Sequence, residues 1–205
     1  MKDVKSFLLL LACTVILFLF FYFPNKITDK DNAYRLLSEL TAETQMKKDV
    51  YYFNFEINNK MTGMKAPDVL CSETKKDPKD KYLSELVCQK PLFIYRYTDI
   101  NCNTCYEAEL KALQEEFAST SELTTVLCSY RVDQKFVAFK RVNQIKLPLY
   151  RIPSDAFDWA VEGYNEPYYF ILHPDMKISH IYVPNNDYPE LNKQYFEGVK
   201  RFLSE

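Results

Sequence analysis

Between Pro91 and Phe117 the chain passes from an unbroken β-prone run, through two cysteines separated by two residues, into a helical pattern, and this succession restricts the fold more than any other feature. Pro91-Leu92-Phe93-Ile94-Tyr95-Arg96-Tyr97-Thr98 predicts a central strand, because aromatic and β-branched side chains suit a pleated surface and proline is tolerated at a strand's first position. Tyr106 to Phe117 sets Leu110, Leu113 and Phe117 on one face, with Glu107, Glu109, Lys111, Glu115 and Glu116 elsewhere, which predicts an amphipathic helix. Cys102-Asn103-Thr104-Cys105 falls at the junction.

The flanking segments extend this alternation. Leu123 to Tyr130 predicts a second buried strand, and Phe136 to Ile145 carries Phe136, Val137, Phe139 and Val142 at near-helical spacing. Tyr168 to Leu172 and Ile178 to Val183 predict an antiparallel hairpin across the turn-rich His173 to Lys177. Asp187 is placed to cap a closing helix with a stripe of Leu191, Tyr195, Val199, Phe202 and Leu203. Strands and helices in this order indicate an α/β protein. Upstream, Tyr51 to Ile57 predicts a strand ending at the turn signal Asn58-Asn59. Lys75 to Lys81, with Pro78 among its charges, predicts a solvated loop.

With 205 residues and 47% hydrophobic content, the chain can fill one ordinary core. A formal charge of -2 removes the basic footprint that nucleic-acid binding requires. The three glycines, Gly63, Gly163 and Gly198, form no phosphate-cradling run, so nucleotide chemistry has no support.

Phe7 through Phe23 is almost wholly apolar and no charge occurs from Ser6 to Asn25. That length approaches the roughly 20 residues a helix needs to cross a bilayer, so residues 1–25 are expected to form an uncleaved signal anchor. Leu10-Leu11-Ala12-Cys13 loosely resembles a lipid-attachment box, but the apolar run continues to Phe23, and the simpler reading makes Cys13 an apolar membrane residue. Lys2 and Lys5 favour a cytoplasmic N-terminus, diluted by Lys26 and Lys30. Residues 26–49 are then a linker with one helix, and residues 50–205 the globular domain. The expected setting is a bacterial inner membrane, crossed once, with the domain facing the periplasm or the cell exterior.

Disulfide exchange needs a thiolate, and a helix N-terminus stabilises one through its unpaired N–H groups and partial positive charge. Cys102 is the candidate attacking thiol and Cys105 the resolving one. The competing readings of a lone CxxC are half of a zinc site or a permanent disulfide. Zinc needs four ligands, and Cys71, Cys88, His173 and His180 are too scattered to complete a set, so no metal and no cofactor beyond a redox-active disulfide is expected. Cys128 reads as a small buried residue, while Cys71 and Cys88 are candidates for a structural disulfide in an oxidising compartment.

Gly63-Met64-Lys65-Ala66-Pro67-Asp68, Tyr82-Leu83-Ser84-Glu85-Leu86, the Cys102-to-Cys105 motif and Glu166-Pro167-Tyr168-Tyr169-Phe170-Ile171-Leu172 occur in an order that resembles the thioredoxin superfamily. The likeness is to bacterial membrane-anchored thiol-disulfide oxidoreductases of the alkyl-hydroperoxide-reductase, redoxin-like group. It implies a thioredoxin-like fold, a central mixed β-sheet flanked by helices, and exchange with protein or small-molecule thiols and an upstream redox partner. It further implies that Pro167 is a cis-proline across from the cysteines which, with Glu166, positions substrate.

The chain departs from that pattern at Asn101, where the family often has Trp, at Asn103-Thr104 in place of Gly-Pro, and at Glu166, where a small or β-branched residue is usual. Arg96 lies near the position of the family's buried carboxylate; it could lower the Cys102 pKa or pair with a neighbouring acid. Two other functions stay open: a peroxiredoxin-like peroxide reductase using Cys102, and a tethered binding module in which Cys102 and Cys105 form a permanent disulfide.

Overall fold

The structure, a computed structural model, describes residues 2–73, 80–87, 89–101, 103–142 and 144–204; within its helices the side chains of residues 2–10, 17, 19–29, 31, 103–105 and 133 lie outside the description. Twelve helices and strands follow in the order α1 (Lys2–Met61), β1 (Leu70–Cys71), β2 (Lys81–Tyr82), α2 (Leu83–Val87), β3 (Leu92–Thr98), α3 (Asn103–Glu116), β4 (Thr124–Ser129), α4 (Asp133–Val142), β5 (Leu149–Arg151), β6 (Tyr168–Leu172), β7 (Ile178–Tyr182) and α5 (Pro189–Ser204), with short 3₁₀ segments at Ala118–Leu123 and Ala160–Tyr164. Two units divide the chain, Met1–Asp49 and Val50–Glu205.

Within the first unit α1 runs from Lys2 through both the anchor expected at residues 1–25 and the linker with one helix expected at residues 26–49. Ion pairs one turn apart, Arg35 with Glu39 at 3.8 Å and Glu43 with Lys47 at 2.9 Å, support it. Among the described residues no helix is long and apolar enough to cross a membrane. The span expected from Phe7 through Phe23 falls largely on side chains outside the description.

The second unit is built on a five-stranded mixed sheet in the order β5-β4-β3-β6-β7. β3 runs parallel to β4 and antiparallel to β6, and β4 pairs in parallel with β5. β6 and β7 form the expected antiparallel hairpin. Because successive side chains of a strand point to opposite faces, β3 divides the core in two. Phe93, Tyr95 and Tyr97 pack with Leu110 and Leu113 of α3, Phe136 of α4, and Phe196 and Val199 of α5. Leu92 and Ile94 pack on the other side with Ile57 and Met61 of α1, Phe157 and Trp159. Burial of each large apolar side chain contributes about 1.5–3 kcal/mol, and the rings also order one another: Phe93 stands 4.8 Å from Phe117 and 5.4 Å from Tyr169.

Tyr51 to Ile57 is the final part of α1, where a strand is expected. Ile57 and Met61 are buried one turn apart while Tyr51, Tyr52 and Phe55 are exposed, so the segment follows helical periodicity despite its β-forming residues. Asn58, read as part of a turn signal, accepts the Ile181 N–H, and Asn54 both accepts from Val183 N–H and donates to Val183 C=O. These two side chains, one turn apart on α1, satisfy backbone groups on the outer edge of β7 and at Val183 just beyond it. Gly63, at φ +85°, then supplies the left-handed residue that ends the helix and lets its N–H reach the Ile178 carbonyl.

Two further differences are local. α5 begins at Pro189, whose missing N–H is harmless in a first turn, and Asp187 stands upstream in a turn whose N–H is accepted by Asn185. Asp68 of the Gly63-to-Asp68 motif accepts both the backbone N–H and the hydroxyl of Ser84, fastening the start of α2. Most of Lys75 to Lys81 lies outside the described residues.

Candidate active site

β3 ends at Thr98 and α3 begins at Asn103, so only four residues separate the central strand from the helix. Cys105 lies in the first turn of α3; Cys102 is outside the described residues, as are the side chains of residues 103–105. The junction stands at the carboxyl ends of the parallel pair β3 and β4, where the strands of open α/β sheets present ligand sites. It also meets the start of a 14-residue helix, whose first N–H groups favour an anion.

Asn101 organises the loop. Its side-chain carbonyl accepts the Thr98 N–H at 2.6 Å, its own N–H donates to the Thr98 carbonyl at 3.2 Å, and its amide donates to the Asn165 carbonyl. Asp99 ties the same loop to β4: its N–H donates to the Ser129 carbonyl and its carboxylate accepts the Arg131 N–H. Asn165 adopts φ 55°, a left-handed conformation that Asn tolerates better than most residues.

Two residues later Pro167 is buried, and the exposed Glu166 precedes it. The described residues contain no cis peptide bond, so the Glu166–Pro167 bond is trans and not cis as the family resemblance implies. Trans is the lower-energy isomer of an X–Pro bond by about 0.5–1 kcal/mol.

Arg96 is the largest fully buried side chain among the described residues of the unit. By the alternation of β3 it follows Leu92 and Ile94 onto the face that carries Phe157, whose ring centroid is 5.8 Å from the guanidinium carbon. Its Nε donates to Glu162 Oε1 at 3.0 Å and its Nη1 to the Tyr97 carbonyl at 2.8 Å. The Tyr168 hydroxyl donates to the same Glu162 oxygen at 2.8 Å, and burial together with that carboxylate pushes the tyrosine well above its ordinary pKa. Arg96 thus has the ion-pair partner that was one of its two expected roles.

Arg96, Thr98, Asn101, Arg131, Phe157 and Glu162 line a cleft of about 240 Å³, which Glu166 and Asn165 also border. It brings Arg96 and Glu166, two of the expected site residues, to one place. Glu162 and Asn101 were missed as site residues. Glu162 had no signal in the sequence, while Asn101 stood out only as a departure at the position before Cys102.

Glu109, expected on the exposed face of its helix, is buried under α3. Its carboxyl accepts from the Tyr169 hydroxyl at 2.6 Å and from the Asn192 amide at 3.2 Å. Burial raises its pKa, partly offset by the tyrosine hydrogen bond.

The remaining cysteines described in this unit are core residues. Cys71 is a free, fully buried thiol directed at the Val69 carbonyl, and Cys88, its expected disulfide partner, lies outside the described residues. Cys128 is also free and buried, 3.4 Å from the Tyr150 carbonyl. Burial pushes both thiols up to about 12, with the Asp68 charge adding to the effect at Cys71.

No protein-family model matches the chain, and no curated protein matches it by sequence. Solved structures do. One is a thiol:disulfide interchange protein from Bacteroides sp., 15% identical, with a TM-score of 0.52, covering 70% of this chain and 91% of the other. Another is the thioredoxin domain of a thiol-disulfide oxidoreductase from Bacteroides vulgatus, 14% identical, with a TM-score of 0.51, covering 69% of this chain and 97% of the other. At such identity these likenesses speak to architecture alone, and with the mixed sheet and its flanking helices they show that the chain carries a domain of the thioredoxin-like α/β fold.

Proposed function

We propose that the protein is a thiol-disulfide oxidoreductase that exchanges disulfides with protein or small-molecule thiol partners through Cys102 and Cys105. The observation that carries this reading is the entry of the Cys102-to-Cys105 segment into α3 from the carboxyl end of the central strand, beside the loop that bears Glu166 and Pro167. Proteins of this fold in the two comparisons are described as a thiol:disulfide interchange protein and a thiol-disulfide oxidoreductase.

In the reducing direction, the Cys102 thiolate attacks one sulfur of a substrate disulfide, forms a mixed disulfide and expels the other sulfur as a thiolate. Cys105, having given its proton to solvent, attacks the Cys102 sulfur and expels the second substrate thiolate. Two electrons pass from the protein dithiol to the substrate, whose thiolates take up protons, and a Cys102–Cys105 disulfide remains. An upstream dithiol partner restores the reduced pair.

Replacing Cys105 with Ser removes the second step and leaves partners covalently bound to Cys102. Mass spectrometry of non-reduced Cys105→Ser protein recovered from cells identifies such adducts. Their absence, with no exchange by the purified wild-type protein, would refute the enzyme reading.

We also propose a single-pass tether at Phe7 to Phe23 with residues 50–205 outside the cytoplasm, supported by the uncharged apolar run in the sequence. Carbonate-resistant partition of the full chain into membranes, lost on deleting residues 1–25, tests it.

A further inference from the structure

We propose that the cleft beside the cysteine segment is a carboxylate subsite, anchored on Arg96 and Thr98, that selects small disulfides bearing a carboxylate a few atoms from sulfur. The inference rests on the exchange reading above and gives it a substrate class.

A guanidinium carries five N–H donors. Those of Arg96 reach Glu162 from Nε and the Tyr97 carbonyl from Nη1, and the guanidinium also acts on the Tyr168 hydroxyl, whereas the buried Nη2 makes no hydrogen bond of ordinary distance and angle. Thr98 Oγ1, on the same strand and the same cleft, is also buried and without one. Leaving such groups unsatisfied is costly, more so where charge is involved, and native proteins keep few of them. The cost is greater here because Arg96 occupies a strand position whose neighbours on that face, Leu92 and Ile94, are plain core residues.

Two of the three acids bordering the cleft have hydrogen-bond partners, while the third, Glu166, is exposed. Glu162 Oε1 accepts from both Arg96 and Tyr168, and Asp99 accepts the Arg131 N–H. Arg96 and Thr98 both line the cleft, so the unsatisfied donors belong to cleft residues, and a carboxylate matches a planar cation with two oxygens. A phosphate dianion would meet greater repulsion from Glu162 and Glu166, both of which border the cleft.

Phe157, Ile100 and Tyr168 supply apolar wall for a short aliphatic stem. The volume of about 240 Å³ corresponds to roughly eight water molecules at about 30 Å³ each, which suits an amino-acid-sized or short-peptide thiol. Asn101 lines the cleft and is the residue immediately before Cys102 in the chain.

The test uses pre-reduced full-length protein and three symmetrical disulfides at matched ionic strength: those of mercaptopropionate, which is anionic, of mercaptoethanol, which is neutral, and cystamine, which is cationic. The expected second-order rate for the anionic disulfide exceeds that for the neutral one by about tenfold or more, as a charged hydrogen bond of about 1.5–3 kcal/mol requires. Cystamine should be slowest. Thr98→Val and Arg96→Gln should each bring the anionic-to-neutral ratio toward one; should Arg96→Gln fail to fold, the isosteric Thr98→Val decides.

A wild-type ratio near one, or a ratio unchanged by Thr98→Val, overturns the subsite and leaves exchange standing. If none of the three disulfides reacts, exchange with small disulfides falls, and NMR of the arginine side chains decides the subsite: shifts of Arg96 with propionate but not with propanol support it, and their absence overturns it.

Discussion

The side-chain amide of Asn101 donates to the backbone carbonyl of Asn165 while its carbonyl accepts the Thr98 N–H, so one residue joins the loop entering the cysteine segment to the loop entering Pro167. The two loops come from β3 and from the 3₁₀ segment before β6, and no backbone ladder holds them together at this point. Replacing Asn101 with Ala leaves the half-buried Thr98 N–H without its acceptor. Denaturant unfolding should show a loss of about 1–3 kcal/mol, and the exchange rate should fall with it. Wild-type values for both would show that the loops are held by other contacts.

The buried thiols and the cysteine segment should differ in reactivity. Cys71 and Cys128 are fully buried and pushed up to about 12, so both stay protonated and shielded at neutral pH. Iodoacetamide at pH 8 on native, reduced protein should modify Cys102 and spare Cys71 and Cys128 until denaturant is added. Native-state labelling of either buried thiol would contradict the packing.

Glu109 should make stability depend on pH in a defined sense. Its pKa is raised in the folded protein above the ordinary 4.5, so the folded state holds the proton more tightly than the unfolded one. The associated stability is fully present below about 4.5 and is lost as pH rises through the folded value. Glu109→Gln keeps a neutral side chain of similar shape, and its unfolding free energy should gain on the wild type as pH rises from 4 to 8. Parallel curves for the two proteins would place the carboxyl in a solvated environment.

The Arg96–Glu162 pair should be asymmetric in its response to mutation. Arg96 is fully buried, whereas the Glu162 side chain keeps 19% exposure. Glu162→Ala leaves a buried guanidinium without its counter-charge and should cost about 3–5 kcal/mol in unfolding experiments. Glu162→Gln retains an acceptor for Nε and should cost less. Equal losses would indicate that the charge, and not the hydrogen bonds from Arg96 and Tyr168, sets the energetics.

Much of the domain could be read along the chain because its elements obey local rules. β3 is a run of β-formers buried on both faces, α3 and α5 carry apolar stripes, and β6 and β7 are joined by a short turn-rich connection. Each of these patterns is complete within a few consecutive residues. Tyr51 to Ile57 escaped the same reading, since its β-forming side chains suit a strand and only the docking of Ile57, Met61, Asn54 and Asn58 onto the sheet shows why a helix wins. Glu109 was misplaced for a related reason: its charge suggests solvent, but Tyr169 and Asn192 reach it from β6 and α5.

What the sequence determined by itself is the succession of central strand, paired cysteines and helix, because covalent order and hydrophobic period dictate it. Tertiary structure alone decided what surrounds those cysteines. The cleft takes Arg96 from β3, Glu162 from the 3₁₀ segment before β6 and Phe157 from the loop after β5. Side chains that far apart in sequence share no local pattern, and strand register and the closing of loops over the sheet are what bring them within hydrogen-bonding distance.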